Sequence, residues 1–487
     1  MNIRATAWNT VMTAEPGELD LFVPSTTIEG AIPRDLALGR HLQNGPGWTK
    51  IGGRLAHPFD GHGFVRSLTF TDDGGARFRS RFVRTPAYLA ERDAGRLVHK
   101  GLGTNVSANP LTNLRAPGPR NVSNTTIQPW AGRLISGWEG GRPYALDAQS
   151  LETIGEETFG GALPEAAFLA HVRIDSAANR LVGCNLFRGR SSRFVFREFD
   201  ASGKQVVERE VAIPGMHFEH DFIVTPRWYV LAGNPMKAHL GKFARAMLGF
   251  GTLIEALRTD DTKPGELYLI PRGRPGAVRT VRLPQHAFVI HFANAYDLDD
   301  AATVVELCAF ESFEFGGEFG FQGPDAPLDP GLPDRRASIQ RLCRATVRDD
   351  RDAAQWEKLS EYGMDFPRVH PQREGRCAPA IYASTRSDIR RSDPFDAIAR
   401  VDVIDRARPT EIWAARDGQF VGEPVFAPRP GARDLDDGWV IAVIYDGAAK
   451  KTQLCVFECN ALAKGPIAAV PLPLQPYGFH GFWEGAA

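Results

Sequence analysis

The chain has no stretch of about 18 consecutive apolar residues, the least that a membrane-crossing helix needs. Its first residues, MNIRATAWNTVMTAEPGELDLF, hold no unbroken apolar segment, so no secretory signal is expected and a cytoplasmic protein is the default. Six cysteines in 487 residues, with no CxxC, exclude a disulfide scaffold, a zinc ribbon and a thioredoxin-type site. There is no excess of charge of either sign, since 57 Lys and Arg face 58 Asp and Glu. No overall field therefore draws the chain to nucleic acid. HExxH and GxSxG are absent, which argues against a zincin and a serine hydrolase. The Gly-rich piece DGHGF (60–64) lacks the strand-to-helix context of a phosphate loop and reads as a turn.

What is abundant points to strands. Hydrophobic residues make up 43% of the chain, enough for a large core, while 49 Gly and 35 Pro call for many turns. Alternation puts Phe78 with Phe82, and Phe194 with Phe196, on single faces of strands. WVIAVIYD (439–446) reads as a buried strand. A unit of strand, polar turn and strand recurs seven times, beginning near residues 64, 144, 194, 267, 342, 400 and 454. That spacing suits propeller blades with their loops, and it continues without a linker. The expected fold is all-β: a seven-bladed β-propeller over residues 1–487, as one domain. Two segments break the pattern. Residues 239–257 predict the clearest amphipathic helix, and 312–333, rich in Phe, Gly and Pro, predict a long loop.

Four of the twelve histidines lie in apolar or aromatic surroundings: His171 in FLAHVRID, His220 in FEHDFIVT, His291 in FVIHFANAYD and His480 in YGFHGFW. A charged imidazolium is costly in such places, whereas a neutral imidazole bound to a metal is not. His217 and His286 form close pairs with His220 and His291, but their spacings of three and five put paired side chains on opposite faces of a strand. One of each pair is then structural. Imidazole suits Fe, Cu, Zn and Ni alike. Four imidazoles without a carboxylate keep the full metal charge, which fits Fe(II) and O2 better than structural zinc. Ligating histidines need acceptors behind them. Glu139, Asp365 and Glu423 each interrupt an apolar or Gly-rich context and are the candidates.

At these histidines the sequence resembles the carotenoid cleavage oxygenases, a family that includes apocarotenoid oxygenases, lignostilbene dioxygenases and the retinal-pigment-epithelium isomerase. The likeness runs through DGHGFVRSLTF, SRFVRTP, SNTTIQPWAGRLISGWEGGRPYALDAQSLETIG, AHVRID, EHDF, HFANAYD, GEPVFAPRP with DDGW, and YGFHGFW, in family order. The resemblance implies a seven-bladed propeller with a dome of loops. It implies Fe(II) held by His171, His220, His291 and His480, backed by Glu139, Asp365 and Glu423. Thr125 matches the small residue that crowds one open iron position. Asp365 replaces the commoner Glu, so its hydrogen bond must be remade by a backbone shift or through water.

The implied reaction inserts O2 across a conjugated C=C bond and yields two carbonyl products, with no side-chain general base. A lipophilic polyene, carotenoid or apocarotenoid, is the expected substrate. The lignostilbene type of alkene cleavage is the alternative, and a non-catalytic propeller that binds carotenoid or a protein partner is the second. By alignment Gly103 and Arg133 stand where the lignostilbene branch reads a phenol. Residues 236–258 match an apolar insertion that touches membrane in apocarotenoid enzymes. They are the candidate for peripheral membrane contact, against the alternative of a helix packed on the propeller.

Overall fold

The computed structural model describes residues 3–234, 236–299, 301–311, 313–317, 319–330, 339–432 and 436–486. Six sheets of four or more strands account for most of it. The seven-stranded one is two units that share the long strand Gln355–Arg368. Its first half pairs with Gln340–Arg348 and its second half with Ala380–Thr385. Counted this way there are seven antiparallel blades. Each of the seven recurring units falls on the outer hairpin of a different blade, as at Ser191–Phe199 with Gln205–Pro214 and Lys451–Glu458 with Ala468–Pro473.

The two ends of the chain close the ring. Arg40–Gln43 pairs with Gly481–Glu484 in the first blade, and Glu29–Gly30 pairs with Ala468–Ala469 in the seventh. Arg40 adds an ion pair to Glu484 across the closing strands. Edges that would otherwise template aggregation are thereby covered.

Blades stack face to face, so their middle strands are buried on both sides and read as continuous apolar runs. Ala302–Phe310, Trp228–Gly233 and Ala397–Asp402 are buried at every position. Phe78, Phe82, Phe194 and Phe196 are buried as the alternation predicts, and so is the run from Trp439 to Tyr445. The N-terminal helix Ile3–Met12 has no counterpart in the sequence reading. Its Trp8 packs among Phe319, Phe420 and Tyr477.

The helix expected over 239–257 is shorter, and this is a correction. It spans Leu240–Met247, started by the His239 Nδ1, which accepts from the Lys242 N–H at 3.2 Å. Gly249 stops it, in a left-handed conformation (φ +80°), where a Cβ would meet the Pro110 carbonyl oxygen at 2.4 Å. Ile254–Ala256 then forms a single 3-10 turn. A ribbon of Met236–Ala238 with Leu257–Thr259 ties off the excursion. None of the helix's residues is buried. The predicted loop 312–333 holds only turns where it is described; residues 312, 318 and 331–333 lie outside the described residues.

Inter-blade packing carries the core. Phe196 is fully buried and stacks on Tyr229 of the next blade, with centroids 4.4 Å apart. Phe196→Ala is expected to cost about 3–5 kcal/mol of stability in chemical denaturation. A loss well under 1 kcal/mol would show that blade faces do not hold the ring together.

Candidate metal centre

In six blades the innermost strand is the first of its blade, so these strands run the same way and start at one face of the ring. His171 stands just before Arg173–Asp175 in the third blade, and His220 just before Ile223–Val224 in the fourth. His291 lies near the start of Phe288–Asp299 in the fifth, at a break in register after Val289. His480 precedes Gly481–Glu484, the innermost strand of the first blade. One candidate nitrogen from each of these four lies within 4.8 Å of the others. The Nε2 atoms of His171 and His220 are 3.1 Å apart. His217 and His286 stay outside. His217 bonds the Pro214 carbonyl and His286 the Lys263 carbonyl.

The three blades without a histidine supply the acids. Glu139 of the second blade accepts from His220 Nδ1. Asp365 of the sixth accepts from His291 Nδ1 at 2.7 Å, and Glu423 of the seventh from His480 Nδ1 at 2.9 Å. A carboxylate only accepts, so each Nδ1 carries the proton and each Nε2 presents a lone pair. Asp365 reaches its histidine directly, without a water. The register shifts after Asp365, and Phe366 takes a left-handed φ of +53°. Such a conformation costs of order 1–3 kcal/mol in a non-glycine residue.

Electrostatics keep the cluster receptive to a cation. Burial, reinforced by the other three histidines, holds His171 well below the usual imidazole range. Burial also lowers His480 to about 4, although Glu423 opposes it. For His220 burial pulls down, but Glu139 outweighs it and the net shift is upward. Burial would raise the Glu423 carboxyl; Arg368 and His480 overcome it and bring it to about 2. His291 Nε2 is buried with no hydrogen-bond partner among the described residues. An orphaned lone pair facing three more imidazoles is the signature of a donor set built for a metal ion, and the residues fit one.

Residues outside the sequence reading hold this arrangement. Arg368 Nη2 donates to Glu423 Oε2 at 2.9 Å and to the Gly481 carbonyl at 3.0 Å. Asp221, next to His220, accepts from the Phe222 and Phe292 N–H groups at 2.7 and 2.9 Å and pairs with Arg173. It joins the third, fourth and fifth blades under the histidines. Among the described residues His171 has no carboxylate at hydrogen-bond distance; Asp221 Oδ1 is 4.0 Å from its Nδ1.

Two cavities meet at the cluster. His220, His291 and His480 face a cavity of about 530 Å3, bordered also by Thr125, Glu139 and Asp365. Its walls are mainly aromatic, with Phe313, Phe315 and Phe319 coming from the long loop. Leu240, Phe243 and Met216 stand at its exposed end. His171 and His480 border a smaller cavity of about 170 Å3 with Arg173, Arg368 and Glu374. Gly103 and Arg133 line neither of these cavities. Gly103 packs on the His57 ring, and Arg133 pairs with Glu157.

A family model described as RPE65, retinal pigment epithelial membrane protein, matches residues 14–485. The chain belongs to that family, the carotenoid cleavage oxygenases. Apocarotenoid-15,15'-oxygenase of Synechocystis sp. is 32% identical over 96% of this chain and 94% of that one. Carotenoid cleavage dioxygenase 7, chloroplastic, of Oryza sativa subsp. japonica is 29% identical over 95% of this chain and 88% of its own length. The crystal structure of cobalt-substituted Synechocystis ACO superposes with a TM-score of 0.91 at 29% identity, covering 99% of both chains. The all-β propeller is the family's fold.

Asp221→Asn takes from the buried Arg173 the nearer of its two carboxylate partners and leaves it only Glu374. Breaking such a pair is expected to cost about 3–5 kcal/mol in denaturant unfolding. An unchanged midpoint would mean that Asp221 does not join the blades beneath the site.

Proposed function

We propose that the chain is a non-haem Fe(II)-dependent oxygenase that cleaves a conjugated C=C bond of a carotenoid or apocarotenoid with O2 to give two carbonyl products. The observation that carries this reading is a cluster of four imidazoles, with no carboxylate among them, opening onto an aromatic tunnel. The similarity to apocarotenoid-15,15'-oxygenase supports it. In this reading residues 1–487 act as one propeller domain.

His171, His220, His291 and His480 hold the ion through Nε2, and Glu139, Asp365 and Glu423 fix the ring orientations of the last three. When bound, iron(II) supplies the activation of O2. The chain's own part is to bind and to exclude. The phenyl walls align a polyene beside the cluster and keep bulk water from it. Thr125, 4% exposed and facing the same cavity, narrows the space beside the ion. No side chain is needed as a general base. A stilbene substrate is less well served, because Gly103 and Arg133 are off the tunnel.

Incubation under O2 with apocarotenals, carotenoids and hydroxystilbenes, followed by product masses, tests the reading. Paired carbonyl fragments from a polyene support it. Cleavage of stilbenes alone, or tight binding of polyenes with no turnover, overturns it. Glu423→Gln is expected to lower metal affinity or turnover by roughly 10–100-fold while the fold persists. In metal analysis His480→Ala is expected to lose most of its iron; near-stoichiometric iron with activity would remove His480 from the ligand set.

The exposed stripe at the tunnel mouth serves substrate entry in this account. Leu240, Phe243, Met247 and Phe250 all point to solvent, and Lys242 and Arg245 flank them. This suits a surface that dips into lipid and takes up a water-insoluble polyene directly. No helix among the described residues is long and apolar enough to cross a membrane. Changing Phe243, Met247 and Phe250 together to Ser is expected to abolish liposome co-sedimentation and leave the melting temperature unchanged. A collapsed melting temperature, or no lipid binding by the unaltered protein, defeats this reading.

A further inference from the structure

The tunnel has unlike ends. Leu240, Phe243 and Met216 at one end are 80%, 45% and 52% exposed. At the other end Trp8, Pro394, Phe395, Gln340 and Arg386 are all buried. The N-terminal helix shuts that end, because Arg4 holds the Asp393 carboxylate at 2.5 Å and the Pro394 carbonyl at 2.9 Å. In a cavity walled by phenyl rings, Arg386 is a buried cation facing the lumen.

Arg386 forms no ion pair among the described residues. Its Nε donates to the Asp393 carbonyl at 2.6 Å, Nη1 to Gln340 Oε1 at 3.2 Å and Nη2 to the Ser392 carbonyl at 3.3 Å. The carboxylates whose charge reaches it are engaged elsewhere: Asp393 with Arg4 and Arg391, Asp365 with His291, and Asp396 with Arg4 and Arg391. The guanidinium lies over the Phe395 ring, 4.4 Å from its centroid, which fixes its plane. Three of five N–H donors are used among the described residues, which leaves two. A buried, unpaired charge with spare donors is expensive for the fold alone. Burial lowers this guanidinium to about 10, and it remains charged at neutral pH.

We propose that Arg386, oriented by Gln340, receives the oxygen-bearing end of the polyene, and so sets which double bond lies beside the histidines. The inference rests on the oxygenase reading above and names its substrate class: a chain ending in a carboxylate or carbonyl that enters polar end first. Such an end supplies the acceptor that Arg386 lacks. A pure hydrocarbon does not, and it slides along the phenyl walls without register.

The test uses the iron-loaded protein without O2, so that ligands bind and are not consumed. Three polyenes of equal length, ending in a carboxylate, an aldehyde or a methyl group, are titrated against tryptophan fluorescence, since Trp8 and Trp138 line the tunnel. The carboxylate is expected to bind roughly tenfold more tightly than the hydrocarbon, the worth of one hydrogen bond to a charged group. Arg386→Met should erase that preference and keep hydrocarbon affinity. Gln340→Glu gives the guanidinium a neutralising partner without removing it, and should erase the preference too. It decides the matter if the first variant does not fold. With O2 admitted, product masses from either variant should show more than one cleaved bond. A carboxylate preference that survives Gln340→Glu, or a wild type indifferent to the end group, overturns the inference and leaves the oxygenase reading standing. A wild type that neither binds nor cleaves any polyene overturns both.

Discussion

Four neutral imidazoles must aim their lone pairs at one point, and every other feature of the site follows from that demand. An imidazole offers one nitrogen only if the other holds the proton. Three of the four rings have that proton fixed by a buried acid, and each acid comes from a blade that lends no histidine. Thus every blade contributes one residue to the centre: four histidines and three carboxylates around seven blades. The ring of strand ends makes this division possible, since all innermost strands open toward the same face. His171 is the exception, with Asp221 4.0 Å from its Nδ1.

The same economy explains the charges beneath the cluster. Buried acids would be raised and neutralised by desolvation unless cations oppose it. Arg368 does this for Glu423, and Arg173 forms an ion pair with Asp221. Above the cluster the walls are mainly phenyl rings, and the charge at the closed end forms no ion pair among the described residues. One face of the centre is therefore built from paired charges that hold blades together. The other is built from apolar surface that shapes and dries a tunnel.

Much of this was legible in the residues. The seven hairpin units stand out because the outermost strand of each blade is part exposed and a polar turn leads into it. The histidines stand out because imidazole is rare inside apolar runs. Asp221 did not stand out, since an acid at a strand start is commonplace and two of its three partners, Arg173 and Phe292, lie far away in sequence. Arg173 and Arg368 were hidden for the same reason. Helix length over 239–257 was overread because the apolar stripe continues past Gly249, while only the approach of Pro110 shows why the helix stops there. The N-terminal helix is only ten residues long and is shaped by what it covers. The direct contact from Asp365 to His291 sits beside the left-handed Phe366, a backbone feature without a sequence signal.

The central claim is that four imidazoles, and no carboxylate or thiolate, hold an iron ion. X-ray absorption at the iron edge, on protein purified with its metal, tests it most directly. The account predicts a first shell dominated by four nitrogen donors with the outer-shell scattering pattern of imidazole rings. A shell fitted by two or fewer imidazoles, or one that needs sulfur or a protein carboxylate, would contradict it.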